Sequence, residues 1–340
     1  MTSTMTATRT PSAELPSVPS LSGITPSGRL TLGNYLGALS RFPYAQDGAL
    51  YGVMNLHAMT VEHDPAVLAH RTRETFGLLL AAGLDPERAT VFVQGDVPAH
   101  SGLAYLLECT ATYGEMRRMI QFKEKAAGQE SVRLSLLTYP ALMAADILLY
   151  GARRVPVGAD QSQHVELARD LAIRFNRRYG TTFAVPELST PDSAARVMDL
   201  ADPHRKMSKT APDGHPGTIR LLDPPEAVAR KVARAVTDPG AKVEYDPAGK
   251  PGVSNLLEIL AALSGGSPAA AAGGIGSYRA LKDAVTEAVL AALTPLRVRF
   301  TELAGDPAEL DRVRRRGAER AAALAAPTLA RARVVLGLAA

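Results

Sequence analysis

The sequence contains one cysteine and no tryptophan among its 340 residues. A disulfide framework or a thiolate-rich zinc site needs at least two cysteines, so both are excluded, and we expect a reducing, cytoplasmic location. The longest apolar stretch, residues 134–150, is interrupted by Pro140 and Asp146 and is shorter than the ~20 residues of a membrane-spanning helix. Residues 1–20 are rich in Ser, Thr and Pro and lack the apolar core of a secretory signal, so we expect a flexible tail there.

Positively and negatively charged side chains are nearly balanced in number. The chain has 38 Lys and Arg against 34 Asp and Glu, a formal net charge of +4. This balance is compatible with an anionic partner, but it is far from the charge density of a protein that binds nucleic acid by charge alone. Hydrophobic residues make up 46% and charged residues 21%, which excludes a disordered or fibrous chain and indicates one large globular domain or two.

Strand-like and helical segments alternate in the first half of the chain. Strand-like segments at residues 49–54 and 90–94 flank a segment of helical period at residues 67–84. This alternation predicts an α/β fold with a parallel sheet and crossover helices, in which ligands bind at the carboxyl ends of the strands. Beyond residue 206 the pattern is helical, broken by Gly and Pro. We therefore divide the chain into residues 21–205, with a helical insertion around 100–130, and residues 206–340.

Two polar segments carry residues suited to phosphate chemistry. Gly23, Gly28 and Gly33 follow the first candidate strand, where glycines let a phosphate or a purine ring approach the backbone. Lys206 and Lys209 lie in a polar loop that could close over a polyphosphate and neutralise a leaving group. Taken alone, the first segment could be an ordinary glycine-rich turn and the second a solvated charged loop.

Together with two segments between them, these motifs resemble class I aminoacyl-tRNA synthetases. Pro-Ser-Gly-Arg-Leu-Thr-Leu-Gly-Asn at residues 26–34 is similar to their first ATP-binding signature, in the Thr-x-Gly-Asn form of the bacterial tryptophanyl enzymes. Lys-Met-Ser-Lys-Thr at residues 206–210 resembles the second signature, with Thr in place of the usual final Ser. Residues 137–150 and 155–164 resemble the amino-acid and nucleotide segments. The resemblance implies a Rossmann-like catalytic domain followed by the signature loop and a helical tRNA- and anticodon-binding domain.

The resemblance also implies a reaction and a set of site residues. Tryptophan would be activated with MgATP to tryptophanyl-adenylate and pyrophosphate and then transferred to tRNA(Trp), by a homodimer. Magnesium would arrive with ATP, since no His or Cys spacing predicts a metal site in the protein. The implied ATP-binding residues are Thr25, Pro26, Ser27, Gly33, Asn34, Gly158, Ala159, Asp160, Val197, Lys206, Met207, Ser208, Lys209 and Thr210, with Lys206 and Lys209 catalytic. The implied substrate-binding residues are Leu21, His57, Gln121, Tyr139, Met143, Asp146 and Gln161.

Asp146 is the most informative residue for the amino-acid substrate. It stands in an apolar helical pattern, where a carboxylate without a donor is costly and favours a ligand that supplies an N–H or O–H. The family places an aspartate here to accept the indole N–H. A phenol would also fit, but Leu21 offers no hydroxyl where the tyrosyl enzymes typically carry tyrosine, which favours indole. A neighbouring arginine or backbone amide could instead satisfy the carboxylate.

Three positions depart from the family's usual residues. Leu21, Thr25 and Ala159 stand where phenylalanine, glutamine and glutamate are common. One hypothesis is a variant enzyme with reduced sensitivity to tryptophan-like inhibitors, because a change at the pocket rim alters discrimination between close mimics. Neutral drift is the alternative.

Two rival functions and one basic cluster remain open. A tyrosyl-specific relative and a tRNA-independent adenylyltransferase are the rivals, and the second would not need the C-terminal helices. Five arginines in the last predicted helix could contact the anticodon stem or loop, or could form a solvated face beside acidic neighbours. They are Arg312, Arg314, Arg315, Arg316 and Arg320.

Overall fold

The computed structural model describes residues 17–156, 162–189 and 196–339. Its strands are β1 Leu21–Ile24, β2 Leu50–Val53, β3 Thr90–Val93, β4 Arg154–Pro156 and β5 Glu187–Ser189. Its α-helices are α1 Leu32–Gly37, α2 Pro65–Ala81, α3 Ala99–Glu108, α4 Tyr113–Arg118, α5 Ile120–Ala126, α6 Leu134–Leu149, α7 Ser162–Tyr179, α8 Pro225–Ala233, α9 Pro251–Ser264, α10 Pro268–Ala271, α11 Tyr278–Gly305 and α12 Pro307–Val335. Short 3-10 helices lie at Leu39–Tyr44, His57–Thr60 and Gln94–Asp96.

The five strands of the described residues lie side by side in parallel, and their order differs from their order in the sequence. β2 pairs with β1 and β3, and β4 pairs with β5, all in parallel. A parallel bridge between Ser20 and Arg154 places β4 beside β1, which gives the order β3-β2-β1-β4-β5. Chain connectivity reverses between β1 and β4, and a crevice opens at such a point at the carboxyl ends of the strands. The predicted Rossmann-like fold is confirmed, and the two strand-like segments contain β2 and β3.

Local sequence explains why the first crossover helix begins where it does. Asp64 caps α2 by accepting hydrogen bonds from the backbone N–H groups of Ala66 and Val67 at 2.7 and 3.1 Å. Pro65 occupies the first helical position, where its missing N–H costs nothing. The second half of α2 is apolar and buried, so it holds the helix against β2 and β3.

The C-terminal helices pack in two groups. α8, α9 and α11 form a hydrophobic core with α1 and α2, as the burial of Leu32, Leu78, Val232, Leu257 and Leu293 shows. α12 instead returns to β3, α3 and α6. The helical character of this part is as predicted, whereas the division at residue 206 stays a prediction.

α12 approaches β3 closely because of one glycine. A Cβ at Gly317 would lie 1.8 Å from the carbonyl oxygen of Val91, so any larger side chain would force the helix away from the strand. Val313 is buried beside this contact and packs in the same core as Val91. The last helix is therefore part of the packing of the α/β layer.

Four of the five clustered arginines on α12 have acidic partners. Arg314 donates two hydrogen bonds to Asp96, at 2.6 and 2.7 Å. Arg316 and Arg320 both pair with Glu87, and Arg312 pairs with Glu309 on its own helix. Since Asp96 and Glu87 belong to the α/β layer, the cluster holds α12 in place, and this favours the structural interpretation over anticodon contact.

Among the described residues, no helix is both long and apolar enough to cross a membrane.

Candidate functional site

A cavity of about 810 Å³ opens at the carboxyl ends of β1 and β4, where the strand order reverses. Its walls come from the segment after β1, the 3-10 helix at His57–Thr60, α5, α6 and the signature loop, defined here as residues 206–210. The fold thus brings distant segments of the sequence to one place. The sequence-predicted site residues that line it are Leu21, Thr25, Ser27, Asn34, His57, Gln121, Tyr139, Met143, Asp146, Lys206, Lys209 and Thr210.

Asp146 lies on α6 at the floor of the cavity and is only 3% exposed. Its Oδ2 accepts a hydrogen bond from His57 Nε2 at 2.8 Å, and its Oδ1 accepts one from His100 Nδ1 at 2.6 Å. Gln94 Nε2 donates to both oxygens, at 2.8 and 3.0 Å. Burial alone would raise the pKa of Asp146, but the hydrogen bonds from His100 and His57 outweigh it and hold the pKa at about 2.

The donors to Asp146 differ from those that the sequence suggested. They are side chains from the segments after β2 and β3 and from α3, rather than an arginine or a backbone amide. Gln94 and His100 were missed, and so was Tyr150, whose hydroxyl lies 2.8 Å from His100 Nε2. A histidine inside the apolar stretch Ala99–Glu108 was the one available signal, because a buried polar side chain needs a partner.

Tyr139 connects the substrate wall to α5. Its hydroxyl donates to Gln121 Oε1 at 3.1 Å and lies 2.7 Å from His164 Nε2. Burial raises the pKa of Tyr139 to about 12, so the phenol keeps its proton. Met143 adds an apolar surface one turn before Asp146, and Leu21, 4% exposed, closes the opposite side from β1. The wall is therefore mainly apolar, with polar groups at fixed points.

The glycine-rich segment meets the signature loop directly. A Cβ at Gly28 would lie 2.0 Å from the carbonyl oxygen of Lys209, so the two backbones touch there. Asn34 Oδ1 accepts hydrogen bonds from the backbone N–H and the hydroxyl of Thr31, at 3.0 and 3.1 Å, which fixes the start of α1. The segment and the loop form two facing walls of one cavity.

Lys209 reaches across this contact. Its Nζ donates to the carbonyl oxygen of Thr25 at 2.7 Å. Burial, followed by the charges of Lys125 and Lys206, lowers the pKa of Lys209 to about 8. Lys125 was missed by the sequence analysis; it lines the same cavity and donates to Gln121 Oε1 at 3.3 Å. Three lysines around one cavity suit a polyphosphate ligand.

The remaining sequence-predicted residues lie elsewhere. Val197 and Met207 are buried in the core that α1 forms with the C-terminal helices, joined by a hydrogen bond from the Met207 N–H to the Val197 carbonyl. Pro26, Gly33 and Ser208 do not line the cavity, although Ser208 Oγ lies 2.9 Å from the hydroxyl of Thr210. The predicted roles of Gly158, Ala159, Asp160 and Gln161 fall outside the described residues.

The family is now clear from comparison with known proteins. The family model of class I tRNA synthetases (W and Y) matches residues 17–294, so the chain belongs to that family. The chain is 57% identical over 324 residues to tryptophan–tRNA ligase 1 of Streptomyces coelicolor, which covers 93% of this chain and 96% of that protein. In structure it is similar to the tryptophanyl-tRNA synthetase of Mycoplasma pneumoniae, with a TM-score of 0.85, 36% identity and coverage of 96% and 98%. The Campylobacter jejuni enzyme complexed with ADP and tryptophan matches with a TM-score of 0.79, 29% identity and coverage of 94% and 99%.

Proposed function

We propose that this protein is a tryptophan–tRNA ligase. It activates L-tryptophan with ATP to the adenylate and pyrophosphate and then transfers tryptophan to tRNA(Trp). The observation that carries the proposal is the buried, ionised Asp146 at the floor of the same cavity whose rim holds the glycine-rich segment and the signature loop. The similarity to bacterial tryptophan–tRNA ligases over most of the chain supports it.

The indole N–H is recognised by the Oδ2 atom of Asp146. This oxygen faces the cavity side, where its main partner is His57. His57 itself lines the cavity. When tryptophan binds, His57 either keeps its hydrogen bond to Oδ2 beside the indole N–H or gives up this hydrogen bond. A site whose buried acceptor requires a donor rejects an analogue without one by several orders of magnitude.

The nucleotide lies between the glycine-rich segment and the signature loop. Thr25, Ser27 and Asn34 supply polar groups from one wall, and Lys206 and Lys209 supply charge from the other. The magnesium ion would be carried by the phosphates and water. The roles of Pro26, Gly33, Val197, Met207, Ser208 and Thr210, and of residues 158–161, remain family-based predictions.

The chemistry needs no nucleophile from the protein. The tryptophan carboxylate attacks the α-phosphorus of ATP, the bond to pyrophosphate breaks, and the lysines neutralise the leaving charge. The terminal ribose hydroxyl of tRNA then takes the acyl group and releases AMP. The protein contributes alignment of two bound reactants and electrostatic stabilisation.

The two rivals are less well supported. A tyrosyl-specific enzyme would need a second polar partner for the phenol, and the residue from β1 is the apolar Leu21. A tRNA-independent adenylyltransferase is disfavoured by the 57% identity over 324 residues to a tryptophan–tRNA ligase. The C-terminal helices do not by themselves decide between the two, because they also contribute to the hydrophobic cores. Incorporation of labelled tryptophan into tRNA separates charging from adenylation alone.

Asp146→Ala tests the assignment. Tryptophan-dependent pyrophosphate exchange should fall by orders of magnitude while the Michaelis constant for ATP stays near that of the parent, because the indole acceptor is lost. Glu124→Ala is a matched control, since it removes another carboxylate from the same cavity. The chain has no tryptophan, so indole fluorescence reports bound ligand directly. Equal exchange rates in the parent and Asp146→Ala would refute the assignment.

The active form is a cytoplasmic homodimer. Four large apolar side chains on neighbouring helices α3, α4, α5 and α6 are exposed, which is typical of a surface covered by another protein. They are Tyr105, Tyr113, Ile120 and Leu134. Light scattering should give twice the chain mass for the parent, and Tyr113→Glu should lower it toward the monomer; a monomeric parent would contradict the proposal.

We also propose that Leu21, Thr25 and Ala159 reduce the sensitivity of this enzyme to tryptophan-like inhibitors, with neutral drift as the alternative. Leu21 and Thr25 both line the cavity, so a substitution at either position can change the contacts of a bound tryptophan mimic. The third departure, Ala159, lies outside the described residues. Leu21→Phe and Thr25→Gln, singly and together, should increase inhibition by an indole-bearing analogue relative to the tryptophan Michaelis constant. An unchanged ratio in all three proteins would leave drift as the explanation.

A further inference from the structure

A buried chain of hydrogen bonds lies beneath Asp146, away from the cavity. His100 on α3 is completely buried and does not line the cavity. Its Nδ1 lies 2.6 Å from Asp146 Oδ1 and its Nε2 lies 2.8 Å from the Tyr150 hydroxyl. The His100 ring stacks on Phe92, with ring centroids 5.6 Å apart and an angle of 18° between the planes. The imidazole is thus fixed in both position and orientation.

The direction of each hydrogen bond follows from the groups involved. Asp146 is ionised, so it can only accept, and His100 must carry a proton on Nδ1. Burial, followed by the charge of Asp146, raises the pKa of Tyr150, so its hydroxyl keeps its proton and can donate to His100 Nε2. The chain therefore runs from the phenol through the imidazole to the carboxylate, and such chains polarise one another in a low-dielectric interior.

The two oxygens of Asp146 have different surroundings. Oδ1 accepts from His100 at 2.6 Å and from Gln94 at 2.8 Å, both buried donors. Oδ2 accepts from His57 at the cavity and has only the longer 3.0 Å bond to Gln94. Gln94 is itself fixed, because its Oε1 accepts from the Leu56 N–H at 3.0 Å. Oδ1 is thereby occupied by two buried donors on the side away from the cavity. Oδ2 is the oxygen presented to a ligand.

We propose that His100 is a positioning residue for substrate recognition: its Nδ1–H fixes the Asp146 carboxylate so that Oδ2 is presented to the indole N–H. This inference rests on the proposed function. His100 does not touch the substrate and acts only through Asp146. Without the Nδ1–H, the carboxylate is free to rotate about its bond to the chain, and the preference for a substrate with an N–H donor falls.

Two near-isosteric variants separate the two nitrogens of His100. The amide nitrogen of asparagine takes the place of Nδ1 as a donor, and the amide oxygen of glutamine takes the place of Nε2 as an acceptor. His100→Asn therefore keeps the donor to Asp146 and loses Tyr150, and His100→Gln does the reverse. The substrates are tryptophan and its benzothiophene analogue, in which sulfur replaces the indole N–H. The readout is the ratio of kcat/KM for the two substrates in pyrophosphate exchange.

The expected results are asymmetric. His100→Gln should lower the preference for tryptophan by at least about tenfold, the effect of losing a hydrogen bond to a charged group, and His100→Asn should stay within about threefold of the parent. The Michaelis constant for ATP should stay constant in both. A core residue without a positioning role would lower kcat/KM for both substrates by the same factor, and that result overturns the inference, as does an equal loss of preference in both variants.

A measurement on the parent protein does not depend on the folding of these variants. Nitrogen-15 spectra of histidine-labelled protein should show His100 protonated on Nδ1, with the signal assigned by its shift in Tyr150→Phe, which removes one oxygen atom. A His100 without a proton on Nδ1 overturns the inference. If the proposed function is wrong, the parent exchanges pyrophosphate with neither substrate; if only this inference is wrong, parent and variants exchange with an unchanged ratio.

Discussion

The pKa of Lys209 predicts how activation depends on pH. Burial favours the neutral amine, and two neighbouring lysines disfavour a third charge, so the pKa is about 8 in the free enzyme. Raising the pH through this value removes the proton and with it the charge that, in the proposed mechanism, neutralises the phosphates. The kcat/KM for ATP, which reports groups of the free enzyme, should therefore fall on the alkaline side.

The magnitude follows from the charged fraction. With a pKa of about 8, about nine-tenths of the Lys209 side chains are charged near pH 7 and about one-tenth near pH 9. If the neutral form does not support the reaction, kcat/KM for ATP falls about tenfold at each further pH unit. The fall in kcat should begin at a higher pH, because bound phosphates stabilise the ammonium.

Pyrophosphate exchange measured from about pH 6.5 to pH 10 tests this reasoning. Lys209→Arg keeps a positive charge that does not titrate in this range, so the alkaline fall should disappear whatever the absolute rate. Lys206→Arg is the matched control and should keep the fall, because Lys209 remains. An unchanged alkaline fall in Lys209→Arg would assign it to another group and refute the argument.

Two glycine substitutions test the backbone contacts, each against a matched control. Gly28→Ala places a Cβ 2.0 Å from a signature-loop carbonyl and should lower adenylation about a hundredfold in single-turnover assays with tryptophan binding unchanged. Gly37→Ala, with no atom within 4 Å, should be tolerated. Gly317→Ala, 1.8 Å from the Val91 carbonyl, should cost about 1–3 kcal/mol of unfolding free energy in denaturant titrations. Gly305→Ala, with no atom within 4 Å, should not. Equal effects within either pair would contradict the contacts.

Features that depend on a short segment of sequence, such as a turn, a loop or a motif, could be predicted from the sequence. A glycine-rich turn after β1 and a lysine loop were each ambiguous when taken alone, and Thr25 and Lys209 in them are 184 residues apart. Only the order of these two segments with the other motifs indicates a shared function. The structure adds that Gly28 touches the backbone of Lys209. A contact between segments so far apart is a property of the folded sheet, and no local pattern encodes it.

The surroundings of Asp146 could not be predicted for the same reason. His57, Gln94 and His100 are 89, 52 and 46 residues from it in sequence. Each follows a strand or begins a crossover helix of the α/β layer, so the parallel sheet brings them to the same edge. The sequence singles out Asp146 as a carboxylate in an apolar helix that needs donors, and the fold supplies them.

The strand order also explains how one cavity can serve two reactants. The reversal between β1 and β4 leaves the carboxyl end of β1 without a covering crossover helix, so the glycine-rich segment is free to accept a nucleotide. α6 runs beneath the same opening and carries Asp146, while the signature loop closes the far side through Lys209 and Thr25. An amino acid held by its side chain at Asp146 must then direct its carboxylate toward the phosphates. Because the reacting groups meet through binding alone, we expect the rate to depend on how firmly Asp146 and the signature loop are fixed. This is how a buried positioning residue, as proposed for His100, would act without touching a substrate.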